Sequence, residues 1–273
     1  MQYDPIKRSL GKVFNQTPML RRIFYRLLDW LLLRAWHIKK TMRGIKRQGL
    51  KNPVILDAGS GFGQYVYRAA SLFPNAIVKG VDVKPEQIAD CNRFFQQIGM
   101  GSRVKFEEAD LTKFCEPEVY DLILSVDVME HIEEDLLVFR NLFLSLKKDG
   151  MLLVSTPSDQ GGSDSHHDHE EDGAHGFIDE HVRDGYSIED IKTKLSKAGF
   201  SKVEVAYSYG NPGKLSWKLS MKYPILMLGA SKLFFVILPF YYIVTWPLSM
   251  ILNYFDVKGN HKTGTGLIVK AWK

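Results

Sequence analysis

The chain has 273 residues, 45% of them hydrophobic and 25% charged, and a formal net charge of +5. That is ordinary globular usage over enough length for one α/β domain with additions, and it excludes both a wholly disordered chain and an integral membrane bundle. Cys91 and Cys115 have neither pairing nor metal-ligand spacing, which fits a reducing compartment, and the first twenty residues lack the apolar core expected of a secretory leader.

The charge is unevenly spread. Residues 1–52 hold 13 Lys/Arg against 2 Asp/Glu, residues 53–211 hold 15 against 28, and residues 212–273 hold 8 against 1. The two basic arms also carry Trp30, Trp36, Trp217, Trp246 and Trp272 and long aliphatic runs, a mixture that suits an anionic lipid interface better than a nucleic-acid backbone.

Residues 1–17 are polar, with Pro5 and Gly11, and read as a loose lead-in. From Met19 to Arg43, Leu20, Ile23, Phe24, Leu27, Leu31 and Ala35 recur at three- and four-residue intervals among arginines and lysines. One basic amphipathic helix of roughly 35 Å is predicted, serving as a lid over a cleft, a membrane contact, or both.

The segment PVILDAGSGFGQYVY, Pro53 to Tyr67, reads as a buried strand, a glycine loop and a helix start. Glycines at 59, 61 and 63 allow backbone N–H groups to approach a ligand closely. Asp82 ends the next apolar run, AIVKGVD, where an acid can accept both hydroxyls of a ribose. The spacing is G-x-G-x-G rather than G-x-G-x-x-G, and Asp57 would repel a pyrophosphate, so the loop suits a ligand with a cationic amino-acid part.

Beyond the loop the pattern alternates. Strands are expected near 53–57, 76–82, 103–109, 120–126 and 149–155, with helices near 63–73, 85–98 and 132–147, the signature of a parallel sheet covered on both faces. Residues 157–186 break this rhythm as a long polar loop, and a helix follows over 187–198 with Ser187 as N-cap and Gly199 closing it. SKVEVAYSY and the final TGTGLIVKAWK read as strands.

Between those strands lies a mostly apolar stretch. Leu233 to Phe255 has no charge and is long enough to span a bilayer. A single crossing would leave the last strand on the far side, however, and Lys232, Pro239 and Pro247 interrupt the run. A shallow hairpin or pair of interfacial helices is predicted, edged by Lys214, Lys218, Lys222, Lys258 and Lys262, with Tyr241, Tyr242, Trp246 and Tyr254 suited to the interface. The alternatives are an apolar cap over the active site and a homodimer seam.

Four motifs in order carry a resemblance. LDAGSGFG with Asp82, Asp110 in FEEADL, DLILSVDVMEHI and DGMLLVSTP resemble the class I S-adenosylmethionine-dependent methyltransferases, and DVMEHI is most similar to the branch with the ubiquinone-type O-methyltransferases. The resemblance covers about Lys51 to Phe200 and resumes in the last strand. It implies an α/β Rossmann-like fold with a doubly wound, mostly parallel, seven-stranded sheet and an antiparallel last strand. To this are added the N-terminal amphipathic helix, residues 1–50, and the apolar helical insertion, residues 211–261. The methyltransferase domain is then 51–210 plus 262–273.

The resemblance also implies the cofactor, S-adenosyl-L-methionine, and its contacts. Asp57, Gly59, Ser60, Gly61 and Gly63 hold the amino-acid end, Asp82 with Val83 the ribose hydroxyls, and Asp110 with Leu111 the adenine. Ser125, Val126 and Asp127 line the space beside the sulfonium. An oxygen acceptor must lose a proton, and His131 is the first candidate base, His181 the second, although either could simply pack near a helix start.

Asp127, Glu130 and His131 resemble a divalent-metal pattern of the ubiquinone-type enzymes, with Asp in place of Glu, but no metal is assigned. His166, His167 and His169 with their acidic neighbours read as a solvated loop. The expected function is methyl transfer to a lipophilic small molecule, a phenolic or quinone-type lipid, at the cytoplasmic face of a membrane by a peripheral or monotopic protein. The alternative is a non-catalytic scaffold of the same fold docked on the membrane. A nucleic-acid substrate is not expected, because SVDV stands where an N-P-P-[YF] motif would follow the fourth strand.

Overall fold

A computed structural model describes residues 17–161, 182–231 and 233–273. The candidate base His181 and the histidines at 166, 167 and 169 lie outside the described residues. The chain divides into two compact units. A sheet unit comprises 41–159, 182–205 and 267–273, and a helical unit comprises 17–40, 160–161, 206–231 and 233–266.

In the sheet unit, β1 (Val54–Ala58), β2 (Ile77–Asp82), β3 (Val104–Glu108), β4 (Tyr120–Val126) and β5 (Leu146–Pro157) alternate with helices α3 (Gln64–Leu72), α4 (Pro85–Gln97) and α5 (Asp135–Ser145). Helix α6 (Ile188–Ala198) precedes β6 (Lys202–Ser208), and β7 (Gly266–Trp272) comes last. The order across the sheet is β3-β2-β1-β4-β5-β7-β6, the seven-stranded arrangement expected. β1 pairs in parallel with both β2 and β4, so the strand order reverses beside β1. Ser201 N–H donates to Trp272 C=O and Thr265 N–H to Tyr209 C=O, which sets β7 antiparallel to β6.

The parallel strands are apolar along their length because helices cover both faces. Ile55, Leu56, Leu122, Ile123 and Leu124 are fully buried. The helix ends follow local chemistry: Ser187 Oγ accepts from Asp190 N–H at 3.0 Å, and Gly199 closes α6 in the left-handed region.

The helical unit departs from expectation twice. The predicted single helix over Met19–Arg43 is two, α1 (Pro18–Leu31) and α2 (Leu33–Arg47), because Leu32 is extended and serves both ends: its N–H donates to Leu28 C=O and its C=O accepts from Ala35 N–H. The apolar run is not broken at its prolines. α9 (Phe234–Lys258) is one 25-residue helix with Pro239 and Pro247 inside it, roughly 37 Å long at 1.5 Å per residue. It is long and apolar enough to cross a membrane by length and composition.

The other arm is a near-continuous helical run of α7 (Asn211–Trp217), a π turn (Lys218–Lys222) and α8 (Tyr223–Ala230). Pro224 cannot donate to Ser220 C=O, and the wider turn sends Tyr223 N–H to Lys218 C=O, which frees Leu219 C=O. Both stranded carbonyls are satisfied from α9: Tyr241 hydroxyl donates to Leu219 C=O and Tyr242 hydroxyl to Ser220 C=O, each at 2.8 Å.

Asp256 fastens the base of this unit. Fully buried, it accepts from Gly213 N–H at 3.0 Å and Tyr209 N–H at 3.2 Å, and its Oδ1 lies 2.8 Å from His37 Nε2. Burial alone would raise its pKa, but the His37 hydrogen bond, the charges of His37 and His261 and the Gly213 N–H together hold it below the usual carboxylate value. Its ionised form is therefore favoured by folding, and that contribution is present above the unfolded value and lost as pH falls through the folded one. Asp256→Ala is expected to cost about 3–5 kcal/mol, because it strands two N–H donors and a histidine; thermal unfolding and limited proteolysis within 206–266 would measure it.

Candidate active site

The sequence-derived site residues collect at the carboxyl ends of β1, β2 and β4, where the strand order reverses and an open α/β sheet leaves a crevice. Gly59 N–H and Ser60 N–H both donate to Val81 C=O, at 2.9 and 2.8 Å, so the loop folds back over the end of β2. Asp82 Oδ2 accepts from Gly61 N–H at 2.9 Å and Oδ1 from Lys84 N–H at 3.1 Å. The acid expected to meet a ribose is thus fastened to the loop itself.

Gly59, Gly61 and Gly63 all have positive φ, but they serve different ends. A Cβ at Gly59 would overlap the Val128 side chain, and one at Gly63 would lie 2.9 Å from Phe106 Cζ, whereas at Gly61 the nearest atom is Gln87 Oε1 at 3.9 Å. Two glycines permit close packing beneath the loop, and the third faces its open side. Gly63 then starts α3 with no side chain of its own capping the helix, and in the first turn Val66 N–H donates to the Asp57 carboxylate.

Asp57 is buried under this loop and Oδ2 has no partner. Burial first, and the nearby Asp82 carboxylate second, push its pKa up to about 7 against the opposing hydrogen bond from Val66 N–H. Ser60 Oγ and Ser125 Oγ are likewise buried without a partner. Three polar atoms left unsatisfied around one loop are the mark of a site completed by a polar ligand. A cation beside Asp57 would supply what it lacks.

Asp110 is exposed, and the Thr112 hydroxyl and N–H, at 2.7 and 2.9 Å from Oδ1, lead in holding its pKa low, so it stays charged. Its segment is tied to Asp82, because Ala109 N–H donates to Asp82 C=O. Leu111 is buried, with its C=O and that of Thr112 both accepting from Asn141 Nδ2. Val83, next to Asp82, is exposed. Val126 is buried and Asp127 takes φ of 53°, a strained position for a non-glycine residue, with its N–H donating to Ser155 C=O. His131 sits in the single helical turn Met129–His131 just past β4, half-buried.

Glu130 is buried, and Thr156 hydroxyl donates to its Oε2 at 3.1 Å. Among the described residues no three His, Cys, Asp or Glu side chains converge on a point that could hold a metal ion. Sequence reasoning missed a clamp beside this turn. Arg183 pairs with buried Asp135 and donates to Ile132 C=O and Glu133 C=O, while Tyr186 hydroxyl donates to Asp135 Oδ2 at 2.8 Å and Lys194 reaches the same oxygen. Arg183 and Tyr186 fall within the stretch read as a polar loop, and they tie residues 183–186 to the segment that follows His131.

The residues present fit S-adenosylmethionine, whose ammonium matches Asp57 and whose ribose hydroxyls match Asp82. Below pH of about 7 Asp57 carries a proton that a cationic ligand must displace. Affinity for S-adenosylhomocysteine is therefore expected to fall as pH drops below 7, by up to about tenfold per unit, and to be flat above it; calorimetry in buffers of different ionisation enthalpy would detect the released proton, and Asp57→Asn should abolish the pH dependence. Gly59→Ala forces a side chain at φ of 84° into Val128, and a loss of about 1–3 kcal/mol in stability, with loss of cofactor binding, is expected in thermal-shift titrations.

Comparison with known proteins agrees with this geometry. A profile described as a methyltransferase domain matches residues 50–204. The chain is 32% identical over 153 residues to phosphoethanolamine N-methyltransferase 1 of Triticum aestivum, covering 55% of this chain but only 28% of that protein. It is 26% identical over 117 residues to the ubiquinone biosynthesis O-methyltransferase of Actinobacillus pleuropneumoniae, covering 41% of this chain and 48% of that one. Among solved structures, the phosphoethanolamine N-methyltransferase 2 of Haemonchus contortus, in complex with phosphomonomethylethanolamine and S-adenosylhomocysteine, aligns with TM-score 0.57 at 19% identity, over 97% of this chain and 60% of that chain. The [4+2]-cyclase SpnF aligns with TM-score 0.56 at 17% identity, over 86% and 80% of the two chains, so the fold alone does not set the reaction. With the domain profile matched over more than half of this chain, the chain belongs to the S-adenosylmethionine-dependent methyltransferase family.

Proposed function

We propose that this protein methylates an oxygen of a lipophilic acceptor, a phenolic or quinone-type lipid, at the cytoplasmic face of a membrane. The observation that carries the reading is the pairing, in one chain, of an intact cofactor cradle with an apolar helical insertion between β6 and β7. Bound S-adenosylmethionine supplies an activated methyl group on sulfur. Asp57 and the glycine loop would hold its amino-acid end and Asp82 its ribose, and the segment from Ser125 to Asp127 would border the acceptor's approach. His131 would take the proton that the acceptor hydroxyl gives up. The D-V-M-E-H-I segment and the likeness to a ubiquinone biosynthesis O-methyltransferase support oxygen as the acceptor atom.

A second reading is nitrogen methylation of a phosphoethanolamine-type headgroup, favoured by the higher identity to the wheat protein. Incubation with labelled S-adenosylmethionine and a total lipid extract separates the two by the class of lipid labelled, and no labelled product despite cofactor binding would instead indicate a scaffold. With the labelled lipid as substrate, His131→Gln is expected to lower kcat by about 100-fold or more while leaving cofactor affinity within about twofold of wild type; steady-state kinetics beside calorimetry would check this.

A further inference from the structure

Helix α9 turns polar side chains inward and large apolar ones outward. On α9 the inward side chains Ser249, Asn253 and Asp256 are exposed by only 2%, 1% and 0%, whereas Phe240, Ile243 and Val244 are exposed by 68%, 70% and 74%. Helix α1 repeats the pattern. Arg21, exposed by 3%, donates from Nε to Tyr25 hydroxyl at 2.8 Å, while Met19, Ile23, Leu27 and Trp30 stand outside at three- and four-residue spacing. The two helices meet through Trp30 and Trp246, whose rings lie 5.3 Å apart.

A helix in water does the opposite, turning its apolar stripe inward and its polar side chains out. Here polar groups share in the contacts between helices: Ser216 hydroxyl is 2.6 Å from Asn253 Oδ1 and donates to Ser249 C=O, beside the two tyrosine hydroxyls on the carbonyls of the π turn. Hydrogen bonds between helices, with apolar side chains outside, are the arrangement that lipid favours.

Charge decides the orientation. Lys214, Lys218 and Lys222 recur every fourth residue on one arm, Lys232 falls between α8 and α9 in the chain, and Lys258 ends α9. A hairpin standing upright in the bilayer would carry Lys222, midway along its arm, into hydrocarbon, which is costly. One lying flat keeps Lys214, Lys218, Lys222 and Lys258 at the level of the phosphates. The exposed apolar residues agree, since they run the whole length of α9 from Phe235 to Phe255 rather than collecting at one end.

We propose that α1 and the α7–α9 hairpin lie flat in one leaflet of an anionic bilayer, with the outer face of α9 among the upper acyl chains and the lysines on the phosphates. This rests on the membrane reading above and adds the embedded surface and its geometry. The full-length protein, with Cys115→Ser as background and a single cysteine placed at Val236, Val244 or Ile251, is labelled with an environment-sensitive fluorophore and mixed with vesicles of phosphatidylcholine with or without phosphatidylglycerol. Vesicle flotation, at least tenfold stronger with phosphatidylglycerol, and equal quenching of all three positions by a lipid-borne quencher in the upper acyl region are expected. Ile243→Asp with Val244→Asp should lower partitioning at least tenfold while leaving S-adenosylhomocysteine affinity unchanged.

Graded quenching along α9 would overturn the flat geometry and leave the membrane reading standing. Flotation without quenching at any position would overturn insertion. Absence of flotation, or a stable dimer that shields the three probes without vesicles, would overturn the proposal and the membrane reading together, with the cofactor site still testable by calorimetry.

Discussion

Strands β6 and β7 are neighbours in the sheet although residues 209–265 separate them in the chain, and this requirement shapes everything inserted there. An excursion whose ends are fixed side by side must come back to where it left. Two antiparallel helical arms meet the requirement, and Asp256 holds their base by taking N–H groups from Tyr209, just past β6, and from Gly213 at the start of α7. The same closure explains why a helix long enough to cross a bilayer need not do so. Its continuation is a strand hydrogen-bonded back into the sheet.

The cofactor site rests on a different compromise. Placing two carboxylates at the ends of adjacent strands costs free energy, and the structure lowers that cost unequally. Asp82 is met by two backbone N–H groups and fastens the loop, whereas Asp57 is left half-satisfied with its pKa near neutrality. One acid organises the cradle and the other waits for a counter-charge. Both acids lie in the sheet unit, within the residues 50–204 that the methyltransferase profile matches.

Much of the sheet unit could be read from the residues because its signals are local. Apolar runs ended by Asp57 and Asp82, glycines with open or crowded Cβ positions, and Ser187 and Gly199 at the ends of α6 each declare a geometry within a few positions. What escaped depends on partners far away in sequence. No glycine or proline marks Leu32, whose extended backbone breaks the first helix. Pro239 and Pro247 look like stops, yet α9 runs through both. The π turn before Pro224 is intelligible only once Tyr241 and Tyr242 are seen to supply its carbonyls. Among the site residues, the glycine loop and the strand-end acids were legible, while the Arg183–Asp135–Tyr186 clamp was not, because its members lie some fifty positions apart.

The order of synthesis gives the late position of β7 a further meaning. β5 and β6 are made before the hairpin, and β7, which must slot between them, is made after it. Until then each presents an open edge with unpaired backbone groups, a surface prone to mispairing with other chains. The greasy arms therefore emerge while the sheet is still incomplete, and their finding a lipid surface early would spare the nascent chain two hazards at once. In such a protein, maturation and delivery to its workplace would be one event.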